Sequence, residues 1–190
     1  MSVKQRTLKA EFSLKGKGLH TGKEVCVTFK PAEENSGYKI IRTDVEGRPV
    51  VPALAEYVKF VERASCLEKD GICIYTMEHA MAALYGCGID NCDIELEGEE
   101  FPILDGSSRF YVEAIEKAGI QEQTAERRYF EVKEKMEFVS EDAQTKITLL
   151  PDTDYSINLV VAYDSPYLSM QYATYSAQHS DFAKEIAPCR

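Results

Sequence analysis

Apolar and polar positions alternate with period two in several short runs of this chain. Cys92, Ile94 and Leu96 interleave with Asp93, Glu95 and Glu97, which predicts a strand with one buried and one wet face. Val25 to Phe29 alternates as cleanly, Thr7 to Leu14 less regularly, and Tyr38 to Arg42 reads as a strand leading to Asp44. For residues 50–61 a strand and a helix are both open readings. Ile72 and Ile74 follow a hairpin expected to close at Asp70-Gly71. Later candidates are Tyr129 to Val139, Lys146 to Leu150 and Tyr155 to Tyr163, and the polar stretch Gln121 to Arg128 before them reads as a linker.

Two segments carry a helical pattern instead. From Thr76 to Gly86 the chain is almost wholly apolar, with Thr76 competent as an N-cap and Gly86 placed to end the helix, so burial on most sides is expected. Its first turn nevertheless carries Glu78 and His79. Burying an unpaired charge costs on the order of several kcal/mol unless the group neutralises. The positive end of the helix dipole favours a carboxylate and a neutral imidazole, the form that binds a metal. A carboxylate beside such an imidazole can accept a proton from water. The plain alternative is a pair of side chains facing solvent at a helix end, and the His-Glu-x-x-His zinc signature is not present. Further on, Asp105-Gly106-Ser107-Ser108 makes a turn that opens a second helix, with Tyr111, Ala114, Ile115 and Ala118 inward and Gly119 at its end. Asp105 is read as a turn residue, the charge run Glu97 to Glu100 as a solvated turn, and His179-Ser180-Asp181 as a helix start with His179 exposed.

Composition narrows the classes. The 190 residues, 44% of them apolar, suffice for one domain or two small ones. A formal charge of −10, from 22 basic and 32 acidic residues without a basic stripe, argues against a nucleic-acid partner. No apolar run reaches membrane-span length, and residues 1–20 lack the apolar stretch of a secretory leader. The six cysteines show no C-x-x-C pairing, which suits a reduced, cytoplasmic setting. The connection Gly16-Lys17-Gly18-Leu19-His20-Thr21-Gly22 lacks both the Walker and the G-x-G-x-x-G spacing and reads as a tight turn.

That glycine-rich segment, Ser65-Cys66-Leu67, Gly71, Thr76-Met77-Glu78-His79-Ala80-Met81-Ala82-Ala83-Leu84, Gly88-Ile89-Asp90-Asn91 and Phe101-Pro102-Ile103-Leu104-Asp105-Gly106-Ser107 follow one another in order. Together they closely resemble the N-terminal half of the UDP-3-O-acyl-N-acetylglucosamine deacetylases, zinc hydrolases of lipid A and lipopolysaccharide synthesis in Gram-negative bacteria. The resemblance implies His79 as a zinc ligand and Glu78 as the general base that removes a proton from the attacking water. It places Ser65 and Cys66, in a [TS]-x-L pattern, beside the substrate, and His20 either near the metal centre or in a structural role. Tyr163, in Tyr163-Asp164-Ser165-Pro166, either stacks on the UDP-linked acyl-glucosamine substrate or is an ordinary tyrosine. Ser165 stands where the family often has His, so a role there does not carry over.

The implied fold is α+β, two two-layer sandwich domains of like topology, each a mixed β-sheet plus helices, enclosing the active site. Residues 1–124 would form the first domain and 125–190 the first part of a second, incomplete one. A weak internal echo agrees, Val25–Phe29 with Pro31 and Asp44 against Ile147–Leu150 with Pro151 and Asp164. The family's other zinc ligands and its general acid come later in the second domain, and its A-x-R-T-F motif is cut after Ala187-Pro188-Cys189-Arg190. The expectation is therefore an N-terminal fragment whose partner is the remainder of its own second domain, and which alone neither hydrolyses substrate nor holds zinc tightly. The rival reading is a non-catalytic nucleotide-sugar-binding or interaction module with the same fold.

Overall fold

The computed structural model describes residues 3–60, 65–140 and 145–190. Two compact units emerge, Met1–Arg127 with Phe182–Arg190, and Arg128–Asp181. The last nine residues, placed by the sequence reading in the second domain, thus pack with the first unit.

The first unit opens with β1 (Lys4–Leu8), β2 (Phe12–Lys17), β3 (Glu24–Pro31), β4 (Tyr38–Arg42) and β5 (Val50–Pro52). A 3-10 turn at Ala55–Tyr57 leads to β6 (Val58–Phe60), β7 (Cys66–Lys69) and β8 (Ile72–Tyr75). Then come α1 (Glu78–Gly86), β9 (Cys92–Glu97), α2 (Arg109–Ala118) and β10 (Ile120–Glu126). The main sheet runs β2-β3-β9-β4-β5, antiparallel except where β9 lies parallel to β4. Register sets Phe29 opposite Ile94 and Ile94 opposite Ile40, so one apolar row crosses the sheet. The helices cover that row through Ala80, Ala83 and Leu84 of α1 and Tyr111, Val112 and Ile115 of α2, a two-layer α+β arrangement. Phe29 stacks on Phe12 at 4.8 Å between ring centroids and meets Tyr111 edge-on at 5.9 Å.

The alternating runs at Cys92–Glu97, Val25–Phe29 and Tyr38–Arg42 are strands as read. So is the Asp70-Gly71 hairpin, both turn residues having positive φ (51° and 80°) as a two-residue type I′ turn requires. Asp105 accepts hydrogen bonds from the Ser107 amide and hydroxyl and opens α2, and Gly119 (φ 81°) ends it. Four readings need correction. Thr7–Leu14 is two strands, because β1 leaves the main sheet to pair antiparallel with β10. The expected linker 121–128 is largely that β10 strand, whose side chains are polar and whose pairing is through backbone. The helix is not buried on most sides, since Ala82 and Tyr85 are exposed. Nor does Gly86 end it by a left-handed turn: Gly88 takes that conformation (φ 72°), while a Cβ on Gly86 would lie 2.2 Å from the Phe182 ring. Phe182 opens a single π-helical turn, Phe182–Ile186, after which Ala187 enters the core of the first unit.

The Gly88–Asn91 segment clamps β1 and β10 in place. Asp90 receives Arg127 and the Arg6 amide, while buried Asn91 donates to Gln5 and Gln123 and accepts from the Gly37 amide.

The second unit consists of two antiparallel pairs, β11 (Met136–Ser140) with β12 (Thr145–Leu149) and β13 (Ser156–Val161) with β14 (Gln171–Ser176). The first three match the strand candidates, and β14 is additional. Apolar side chains on these strands stay open to solvent, among them Phe138 at 61% and Leu159 at 53%.

Candidate active site

Three segments of the first unit meet around the start of α1: the β8–α1 junction, the glycine-rich connection after β2, and the run from Glu99 to Ser108. Thr76 sits at the junction with φ +57°, a left-handed conformation that is an outlier for a β-branched residue and costs roughly 1–3 kcal/mol. Such strain persists where neighbours over-determine it. Here the Thr76 amide donates to the Ser65 carbonyl (3.1 Å), its hydroxyl to Glu100 (3.1 Å), and the flanking Tyr75 exchanges backbone hydrogen bonds with Glu99 and Phe101. The Thr76 hydroxyl is therefore not an N-cap: the cap position is Met77, and no side chain caps the helix.

Glu100 is the hub of this cluster. It is only 2% exposed, which corrects the reading of Glu97–Glu100 as a wholly solvated turn. Its Oε1 accepts from the His20 amide (2.9 Å) and the Thr76 hydroxyl (3.1 Å), and its Oε2 from the Thr21 amide (2.9 Å) and hydroxyl (2.7 Å). Gly18 lies so close that a Cβ there would fall 2.2 Å from Oε2. Burial alone would push this carboxyl up, but the His20, Thr21 and Thr76 hydrogen bonds outweigh it and hold the group below its ordinary 4.5. A carboxyl depressed in the folded state adds stability above its unfolded value, which is lost as pH falls through 4.5 to the depressed value. Denaturant unfolding across that interval should show stability falling more steeply in the wild type than in Glu100→Gln. Equal slopes would remove Glu100 from the acid response.

Glu78 and His79 stand on the first turn of α1, both half-buried. Glu78 Oε2 is buried and has no hydrogen-bond partner among the described residues, so this carboxylate does not simply face bulk water. Asp93 Oδ1 on β9 is the other such atom among them. Tyr111 of α2 lies near Glu78: burial first, then the Glu78 charge, pushes its phenol above the ordinary range, and its hydroxyl donates to the Pro102 carbonyl at 2.7 Å. The Ser108 hydroxyl donates to the His79 carbonyl (2.9 Å), tying the start of α2 to the first turn of α1. An unpartnered carboxylate oxygen on the residue just before a half-buried histidine suits a proton acceptor followed by a metal ligand. Among the described residues no group of three His, Cys, Asp or Glu side chains able to hold a metal is found.

The remaining expected residues are placed as follows. Ser65 joins the cluster through its carbonyl on Thr76. Cys66 is wholly buried, its thiol pushed up by burial and then by Cys73, so a direct substrate contact through its side chain does not follow from its position. His20 reaches the cluster through its backbone, with its side chain exposed. Tyr163 belongs to the second unit and is half exposed. A shallow polar cavity of about 230 Å³ is lined by Arg42, Asp44, Glu97 and Glu99, among others, and by neither Glu78 nor His79. Sequence reasoning missed Glu100, Ser108 and Tyr111 as parts of the site. For Glu100 one signal existed, the even-numbered parity of the inward residues Cys92, Ile94 and Leu96 continued past Gly98.

The sequence profile of the UDP-3-O-acyl N-acetylglycosamine deacetylases (LpxC) matches residues 5–190. The chain belongs to this deacetylase family. It is 48% identical over 188 residues to the bifunctional enzyme LpxC/FabZ of Bacteroides thetaiotaomicron, covering 99% of this chain and 41% of that protein. It is 40% identical over 190 residues to the UDP-3-O-acyl-N-acetylglucosamine deacetylase of Myxococcus xanthus, covering 100% of this chain and 60% of that one. A third relative, the deacetylase of Chromohalobacter salexigens, is 36% identical over 190 residues, of which the chain covers 62%. The chain thus spans between 41% and 62% of the length of these deacetylase-family relatives.

Proposed function

We propose that this chain is the N-terminal part of a zinc-dependent deacetylase that removes acetate from UDP-3-O-(3-hydroxyacyl)-N-acetylglucosamine on the route to lipid A. One observation carries the reading: Glu78 holds a buried, unpartnered carboxylate oxygen next to His79 on the first turn of α1, in a chain of the deacetylase family. Glu78 would accept the proton of the attacking water and His79 would be one ligand of the metal. Zinc, when bound, supplies Lewis acidity toward the amide carbonyl and acidifies a water. Ser65, Cys66 and Tyr163 would serve the substrate, and His20 would stand beside the reacting groups. The reading implies a reduced cytoplasmic setting, in keeping with six free cysteines.

The remaining metal donors would come from residues outside this chain, in the remainder of the second domain. The open strand pairs of the second unit support such a partner. In the first unit β9 joins β2–β3 to β4–β5, whereas β11–β12 and β13–β14 occur in the same chain order as separate two-stranded sheets. Unpaired edges with exposed apolar faces call for a covering strand. By analogy with β9, it would run antiparallel to β12 and parallel to β13.

A second reading, a non-catalytic nucleotide-sugar-binding or interaction module, would fit the same fold with no group of three metal donors among the described residues. Acetate release and zinc content, measured on the full-length protein and on residues 1–190 alone, separate the two. Turnover with bound zinc in the full-length protein, and neither in the isolated chain, is the expected result. Substrate binding without turnover by the full-length protein would establish the module instead, and acetate release or stoichiometric zinc in the dialysed chain would refute the fragment reading.

A further inference from the structure

We propose that Glu100 is a positioning residue of the deacetylase site, holding the His20–Thr21 turn and the Thr76 junction on one carboxylate and so fixing the helix turn that carries Glu78 and His79. This rests on the deacetylase reading above. Three observations carry it. First, both oxygens of the buried Glu100 side chain are engaged, and Oε1 alone joins the two segments, accepting from the His20 amide at 2.9 Å and the Thr76 hydroxyl at 3.1 Å. Second, Thr76 lies two residues before Glu78 in a strained backbone conformation (φ +57°), and its hydroxyl spends its bond on Glu100. That contact is a side-chain bond fixing the direction in which α1 leaves β8, beside the backbone bonds of Thr76 to Ser65 and of Tyr75 to Glu99 and Phe101. Third, Glu100 has no ion pair with a described residue, and the four donors it accepts from are neutral amides and hydroxyls. Hydrogen bonds to an ionised acceptor are shorter and stronger than neutral ones, which suits a group that must hold geometry.

Glu100 does not need to touch substrate for this. A displacement of about 1 Å at a catalytic group from a change outside the chemistry can cost ~100-fold in rate. Glu100→Gln keeps the side-chain size but turns a donor toward partners that are themselves donors. Thr76→Val keeps the branched shape at the strained position and removes only the hydroxyl.

The test uses the full-length protein with Glu100→Gln, Thr76→Val and the double variant, measuring kcat, KM, zinc content and Tm. For Glu100→Gln, kcat should fall roughly 10- to 100-fold, with KM and zinc content little changed. Thr76→Val should shift kcat in the same direction by less, and the double variant should be no slower than Glu100→Gln, because the two residues act through one contact. If Glu100→Gln lowers Tm while kcat of the folded protein stays at the wild-type value, the residue only supports the fold and the proposal fails. Fully additive losses in the double variant overturn it as well. Should Glu100→Gln not fold, Thr76→Val decides alone: an unchanged kcat rejects the linkage. A wild-type protein without deacetylase activity would instead reject the functional reading itself, whatever the variants do.

Discussion

Replacing Glu78 by Gln in the full-length protein is expected to lower kcat for deacetylation by about 100-fold or more, the usual weight of a general base, with zinc content unchanged. The substitution preserves shape and one acceptor oxygen but removes the ability to take a proton. It acts on the atom that the structure leaves buried and unpartnered, Glu78 Oε2, close enough to Tyr111 for its charge to be felt there. Neighbouring packing should survive, because Tyr111 is anchored independently on the Pro102 carbonyl. His79→Ala provides the contrast: it removes an imidazole rather than a base, so zinc content should fall together with activity. Metal analysis of the two purified variants beside their kcat values separates the roles. Full activity in both would withdraw them.

Phe29→Ala should cost about 3–5 kcal/mol, the range for truncating a buried aromatic. Phe29 is 1% exposed and lies on the inward face of β3, stacked on Phe12 and edge-on to Tyr111. Its removal leaves a cavity beneath the helix layer that small shifts of a close-packed core do not refill. Domains of this kind are stable by only about 5–15 kcal/mol, so the variant should lose a large share of its resistance to denaturant. Urea unfolding would show a lower midpoint with an unchanged slope. A cost below about 1 kcal/mol would mean that this face of β3 is not the core. Because Tyr111 touches both Phe29 and the surroundings of Glu78, the same variant should also loosen the floor of the site.

Local chemistry along the chain was enough for much of the first unit. The alternation at Cys92–Glu97, the hairpin at Asp70-Gly71 and the turn at Asp105–Ser107 each depend on neighbours a few residues apart, so period and turn chemistry reveal them. The adjacent Glu78 and His79 stood out for the same reason, two ionisable groups opening an apolar helix, and the ordered segments around them carried the family resemblance. What escaped were features whose partners are far away in sequence. β10 has no apolar alternation because none of its residues is buried; backbone pairing with β1, more than 100 residues earlier, makes it a strand, while Gln123 reaches Asn91. Glu100 looks like one more acid in an acidic run, yet four donors from residues 20–76 keep it charged and buried.

By itself, then, the order of residues determined the strands with one apolar face, the tight turns, and the adjacent acid and imidazole that open an apolar helix, because those properties arise within a few bonds along the chain. Only the tertiary structure decided that Thr76 serves Glu100 rather than the helix end, that Gly86 makes room for Phe182, and that Glu78 keeps a buried oxygen without a partner. A side chain's hydrogen-bond partners and exclusion from water depend on groups brought together only when the sheet and helices close over one another.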